Sequence, residues 1–549
     1  MELFKKGHDV ERGKSHESAD TDISVGYVIN ENAVPKEAFT SGDSIYAKIQ
    51  RIAGKLGVEQ RGIERVPEEE KTDTSMSHAG TLWLSANMVV SSFAIGVLAI
   101  PVFNLSFRDS ALVIVFLNIL GILPICFFAT FGPKFGLRQI VLSRFYFGYH
   151  GTTLIAAFNI LACVGWSSVN AIVGAQVLHA VNPSLPGWAG ILIIAISTLF
   201  ICVFGYRIIH VYERFAWIPG FIIFLVVLGV FVHSGDFNGA ATFTADTTTK
   251  EKAGAILSFA AAVFGFSTGW CSFAADYTVY MRSDTPRTPV VLWTFAGLFF
   301  PLCFTELLGT AVATAIVHDE DYSAAYESAG IGGLLAHVLV PTLGRFGQFC
   351  LVILALGIIA SNCPNNYSGS LSLQAITAKL ASSTTTATTT STTTGTETRM
   401  QTRIQRIPRF VWVVVATAAY VAISIPGYDH FEAALENFML LIGYWLAVYE
   451  GVALTEHVVF RRGSMAAAAY RPEDYDAPAR LPPGYAALAA FLCGVLGAVL
   501  GMAQTWYVGP VAKLCGGEFG GDVGFELAFS FAAVSYLPFR AWEKSSFGR

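Results

Sequence analysis

Charge is what this chain of 549 residues lacks. Asp, Glu, Lys and Arg together make up 14% of it, against about 25% in soluble domains. It also lacks a basic excess: the net charge of −5 excludes the electrostatic footprint of a nucleic-acid binder. The polar stretch from Met1 to His78 has no apolar core of the kind a secretory signal needs. The first apolar segment is therefore expected to insert as its own anchor. Nine cysteines occur, none in a CxxC spacing, and Cys126, Cys163, Cys202 and Cys493 lie inside apolar runs. They read as small buried side chains rather than as disulfides or metal ligands. His179 and His233 have no ligand partners at metal-site spacing. No metal and no cofactor is expected.

Long hydrophobic runs are what the chain has. Hydrophobic residues make up 53% of it. Twelve stretches are each long enough to cross a bilayer, which takes about 20 apolar residues. Backbone in lipid must satisfy its own hydrogen bonds, and these runs lack the alternation of barrel strands, so they read as helices. The expected fold class is an all-α polytopic membrane protein with 12 transmembrane helices. The expected spans are Leu82–Phe103, Ser110–Phe131, Thr152–Val181, Trp188–Tyr206, Phe215–His233, Gly254–Tyr280, Val290–Val317, Arg345–Lys379, Phe410–Ile425, Phe431–Glu450, Tyr485–Tyr507 and Val523–Phe539.

Three parts follow from these boundaries: a mostly disordered cytosolic tail over 1–81, a transporter domain over 82–539 and a cytosolic tail over 540–549. The Ser/Thr tract 382–398 cannot form a core and is expected to be a disordered cytoplasmic loop. The Gly-rich stretch Ser323–Pro341 reads as an outer hairpin lying against the bundle. Lys134, Arg138, Arg144, Arg207, Arg214, Arg282, Arg287, Lys379 and the arginines from Arg399 to Arg462 fall on one side. Only Arg108, Lys250, Lys252, Arg345 and Lys513 fall on the other. The positive-inside rule then places both termini in the cytoplasm.

Polar residues in apolar segments point to a site. The first segment carries "SSFAIG", with Ser91, Ser92 and Gly96 at its centre, and the sixth carries "FGFSTGW", with Gly265, Ser267, Thr268 and Gly269. Both read as helix interruptions near mid-membrane, entering from opposite sides, a pattern of inverted repeats around a central site. Close helix packing by small residues is the competing explanation. In the third segment Trp166 and Asn170 are four apart and share a face. In the sixth, Trp270 follows Gly269. In the eighth, "SNCPNNY" places Asn362, Asn365, Asn366 and Tyr367 around Pro364, where a break or kink is expected. Two indoles can sandwich a planar ring. A carboxamide offers an acceptor beside donors, matching the edge of adenine or cytosine. No Arg or Lys lies at that depth, which disfavours an anionic ligand.

These residues form a recognisable set. "RGIERVPEEEKTDT" before the first span, "WSSVN" in the third, "GW" in the sixth and "NCPNNY" in the eighth resemble the fungal purine–cytosine permeases of the nucleobase–cation symporter-1 family. The resemblance extends from Gly62 to the C-terminus. It implies a LeuT-like core of five plus five helices in inverted repeat, with two further C-terminal helices. It also implies a multi-pass plasma-membrane protein that takes up cytosine, adenine, guanine and hypoxanthine, and 5-fluorocytosine with them, driven by protons. By motif, Trp166 and Trp270 would stack on the base, and Asn170 and Asn362 would bind its polar edge, with Asn365 also in the binding set. Ser92 and Gly269 would line the site, and Gly96, Gly265 and Pro364 would shape the breaks. The chain departs from the family's paired asparagines in having Ser361 before Asn362. Protons are favoured over sodium because "ALGII" before Ser361 lacks adjacent hydroxyls. Glu306 is the deepest acidic residue and the expected participant in proton coupling; Asp276 and Glu450 read as nearer the cytoplasmic ends. Beside a base transporter stand a relative for allantoin, uracil or a vitamin, and a nutrient sensor on the same fold. A channel or an enzyme fits less well, since no polar stripe or reactive cluster runs through the segments.

Overall fold

The computed structural model describes residues 62–243, 248–388, 409–517 and 519–549. They hold twelve helical segments in the order expected of the spans. Nine single helices are long and apolar enough to cross a membrane, and a bent pair, Ser77–Asn87 with Val90–Leu98, supplies a tenth. Tyr485–Gly501 and Gly524–Phe547 complete the set. The last two pack on each other and on the tenth span.

The first and sixth spans are the broken ones, but not at the glycines expected. The first bends by 58° at Met88 and Val89, Val89 being fully extended. The cause is local: the Asn87 carboxamide donates to the Trp83 carbonyl at 2.9 Å. This side-chain bond back onto the last turn comes just before two β-branched valines. Gly96 lies inside the regular half-helix Val90–Leu98. Any Cβ there would strike the carbonyl of Glu306 in the seventh span, so Gly96 serves close packing rather than the break. Gly265 likewise lies within the helix Thr249–Ser267, against the carbonyl of Met439 in the tenth span. The sixth span changes character only after it, as a 3-10 segment Thr268–Tyr277 with Phe273 off helical geometry. Pro364 produces no break either. The eighth helix runs through it from Arg345 to Thr388, where the neighbouring Asn365 amide donates to the Ser361 carbonyl at 3.0 Å.

Other boundaries shift. The eighth helix continues past Lys379 to Thr388, into the tract expected to be a loop; residues 389–398 lie outside the described residues, as do 1–61 of the N-terminal tail. Ser and Thr are weak helix formers, not breakers, and the preceding turns extend into them. The segment Glu320–Leu343 is two helical arms meeting at Ala329 and Gly330 (φ 55°), packed on the third and eighth spans. The C-terminal residues are not a free tail: Arg540 and Glu543 are buried, and Arg540 Nε donates to Glu456 of the tenth span at 3.0 Å.

Nor is the stretch before Leu82 a free tail. Residues 62–73 form a strap across the face of the bundle that carries Lys134, Arg138, Arg214 and Arg282, here called the basic face. Lys71 Nζ donates to the Pro133 carbonyl at 2.7 Å and Arg65 Nε to that of Phe135 at 2.9 Å. Asp73 N–H donates to the Tyr280 carbonyl at 3.0 Å, and the Asp73 carboxylate pairs with His78 at 2.8 Å. Burial opposes the charge on Asp73, but the hydrogen bond and charge of His78 outweigh it and hold the carboxyl below its usual range.

Candidate substrate site

A small cavity lies beside the break of the sixth span. It is lined by Trp166 and Asn170 of the third span, Phe266, Gly269 and Trp270 of the sixth, and Ser361 and Asn365 of the eighth. Helical spacing explains the set. Trp166 and Asn170 are four apart, as are Ser361 and Asn365, so each pair points the same way. No charged side chain lines the cavity.

The two indoles are held differently. Trp270 Nε1 donates to Asn87 Oδ1 at 3.1 Å, and its ring lies 5.4 Å from that of Trp83. The residue that ends the first half-helix therefore fixes one wall of the site. Trp166 meets Phe266 and Phe438 edge to face, at 5.3 and 5.1 Å. Its Nε1 has no hydrogen-bond partner. A Cβ on Gly269 would stand 3.3 Å from that nitrogen, so glycine keeps the indole edge accessible to the cavity.

The polar edge is built around Asn170. Ser91 Oγ donates to Asn170 Oδ1 at 2.6 Å, and Asn170 Nδ2 donates to Ser361 Oγ at 3.3 Å. Asn365 Oδ1 is buried and unpartnered. The walls thus present an unused indole donor and an unused amide acceptor. Each costs about 1–3 kcal/mol when left unpaired, which a ligand pairing with it recovers.

The structure brings Trp166, Asn170, Gly269, Trp270 and Asn365 together and leaves Ser92 and Asn362 out of the lining. Asn362 is one residue from the cavity face and therefore about 100° away. Its Nδ2 lies 3.5 Å from Thr198 Oγ1 of the fourth span. Ser92 Oγ is buried without a partner, and its neighbour Ser91 makes the bond to Asn170. Sequence reasoning missed Phe266, the lining role of Ser361 and the bracing role of Asn87. An Asn inside the first apolar segment was the available signal for Asn87.

Towards the basic face the site is closed by a buried polar network. Ser272 Oγ donates to Asn159 Oδ1 at 2.6 Å, and Asn159 Nδ2 to Ser372 Oγ at 2.7 Å. Ser368 Oγ donates to Asp276 at 3.1 Å, and the Gln139 N–H to the same carboxylate at 2.7 Å. Arg138 donates to the Asp276 carbonyl at 2.7 Å and sits over the rings of Tyr280 and Tyr367.

Two further carboxyls are fully enclosed. Glu306 accepts from Asn118 Nδ2 of the second span at 2.7 Å, and its other oxygen has no partner. Glu450 accepts from Thr268 Oγ1. It therefore stands against the first residue of the sixth-span break rather than near a helix end.

The sequence pattern described as a permease for cytosine and purines, uracil, thiamine and allantoin matches residues 65–519. The purine–cytosine permease fcyB of Emericella nidulans is 51% identical over 95% of this chain and 96% of its own. The purine–cytosine permease FCY2 of Saccharomyces cerevisiae is 42% identical over 90% and 88%. The vitamin B6 transporter TPN1 of the same yeast is 30% identical over 90% and 89%. These relatives are permeases and transporters, not enzymes. Among solved structures, Mhp1 in a closed conformation with bromovinylhydantoin bound superposes with a TM-score of 0.65 at 12% identity. That match covers 89% of this chain and 96% of Mhp1, and it shows the fold, a five-plus-five inverted repeat with two added helices. The chain belongs to the family of permeases for cytosine and purines, uracil, thiamine and allantoin, the nucleobase–cation symporter-1 transporters.

Proposed function

We propose that this chain imports cytosine and the purine bases adenine, guanine and hypoxanthine across the plasma membrane, coupled to protons, by alternating access. The observation that carries the reading is the cavity itself. It is lined by two indoles, free of charged lining residues, and offers one unused donor and one unused acceptor. Relatives at 51% and 42% identity carry the name of purine–cytosine permeases, against 30% for the vitamin B6 transporter. The basic face is then cytoplasmic, with both termini, by the positive-inside rule. Trp166 and Trp270 stack on the base, and Asn170 and Asn365 meet its polar edge. Asn362 acts on that edge through the eighth span, and Ser92 through its neighbour Ser91.

Glu306 takes part in coupling by shaping the proton path, tying the second and seventh spans beside the outer half of the first. Glu306→Gln is expected to keep base binding while lowering the pH dependence and the accumulation ratio. The test of the whole reading is uptake of labelled cytosine by cells lacking other base carriers. Adenine and 5-fluorocytosine should compete, cytidine should not, and a protonophore should stop accumulation with or without sodium. Inhibition by cytidine equal to that by adenine would sink the substrate assignment. Dependence on sodium with indifference to the protonophore would sink the proton assignment.

A further inference from the structure

Glu213 stands apart from every other acidic group described. It ends the short helix Tyr206–Glu213 that leads into the fifth span. It is fully buried, and neither carboxyl oxygen has a hydrogen-bond partner. Such a group cannot be carried as an ion at tolerable cost: a lone carboxylate out of water is disfavoured by several kcal/mol or more. Enclosed in this way, the carboxyl is favoured as the neutral acid.

Among the described residues its surroundings offer no countercharge. The short helix packs against the fourth span, the eighth span and the half-helix Ser77–Asn87. The titratable groups facing the carboxyl are the thiols of Cys202 in the fourth span and Cys363 in the eighth, with Tyr212 beside it. The half-helix has one ionisable side chain, His78, and that is engaged by Asp73 and Arg214. His210, one turn back on the short helix, lies at ring distances of 6.0 and 6.2 Å from His78 and Tyr277.

What makes this more than a buried acid is its connection to the site. Trp270, one wall of the cavity, donates to Asn87 at the end of the half-helix. Two residues earlier, Ser85 Oγ donates to the backbone carbonyl of Glu213 and accepts from the N–H of Trp217 at 3.0 Å. One rigid half-helix thus joins the substrate wall to the residue that bears the proton. The Ser85 bonds therefore tie the docking of that half-helix to the enclosure of the carboxyl.

We propose that Glu213 carries the coupling proton, retaining it while the half-helix Ser77–Asn87 is docked and releasing it to cytoplasmic water when the half-helix moves. The step is a simple transfer: the carboxyl O–H bond breaks, its proton passes to water as hydronium, and the carboxylate is left to be reprotonated from the opposite side before the next cycle. The proposal rests on the reading that this chain moves bases with protons, and the experiment separates the two.

The full-length protein is reconstituted in liposomes containing a pH-sensitive dye. Two quantities are read with labelled cytosine: exchange against internal cytosine, which needs no net proton movement, and accumulation driven by an imposed pH gradient, with acidification of the lumen. The wild type is expected to show both. Glu213→Gln is expected to keep exchange while its accumulation ratio falls to one and cytosine-induced acidification disappears. Acidification by Glu213→Gln at the wild-type rate overturns the proposal. A wild type that exchanges cytosine without acidification overturns the proton reading itself, and a wild type that exchanges no cytosine overturns the substrate reading. Should the glutamine variant not fold, Glu213→Asp decides: it is expected to acidify with a displaced pH profile, and an unchanged profile counts against the assignment.

Discussion

The two broken helices are not equivalent. The first breaks abruptly, over Met88 and Val89, and resumes as a regular helix. The sixth unwinds over Thr268–Tyr277. The cavity takes Phe266, Gly269 and Trp270 from the sixth span and nothing from the first. The first span acts at one remove, through Asn87 on Trp270 and Ser91 on Asn170. The difference suggests a division of labour. The sixth-span break supplies the surface a ligand touches, while the first-span break supplies a lever that braces that surface and reaches on to Glu213. A short break leaves two rigid arms that can move as bodies; a long one exposes backbone and side chains to a ligand.

Substitutions break or sharpen this contrast, in descending order of effect. Gly96→Ala drives a methyl group into the Glu306 carbonyl, a backbone clash that no side-chain rotation relieves. It should abolish folded protein at the surface, read by fluorescence of a tagged chain. Normal abundance would show that the first and seventh spans are not closely packed there. Trp270→Ala and Trp166→Ala remove stacking surfaces and should weaken base binding by about 1–3 kcal/mol each, read as the inhibition constant for adenine at matched expression. Unchanged constants in both would place the ligand elsewhere. Asn87→Ala keeps both indoles but frees Trp270 from its brace. It should cost about 0.5–1.5 kcal/mol in apparent affinity, a smaller loss than Trp270→Ala. A larger loss would make the first break a direct contact and erase the distinction.

How far the sequence disclosed this depends on how local each cause is. Spans were legible because hydrophobic length is a property of the segment alone. Trp166, Asn170 and Trp270 were legible because large or polar side chains at mid-membrane demand a reason. The positions of the breaks were not. Gly96 and Gly265 look like helix weakeners, yet their smallness answers carbonyls of the seventh and tenth spans, which only the packed structure brings near. Pro364 signals a break, yet its missing N–H costs a single ladder bond and the helix runs on through it. Asn362 and Asn365 could not be separated by residue type. Only the phase of the eighth helix against the third and fourth spans turns one to the cavity and the other to Thr198.

That phase gives the most direct test of the site. Equilibrium binding of labelled adenine to the purified protein is compared for Asn365→Ala and Asn362→Ala, with folding checked by thermal unfolding. The account predicts that Asn365→Ala loses about 1–3 kcal/mol of affinity, because an edge of the base is left unpaired. Asn362→Ala should lose less, since its amide lies towards the fourth span. A large loss for Asn362→Ala with Asn365→Ala unchanged would contradict the site as built between Trp166 and Trp270.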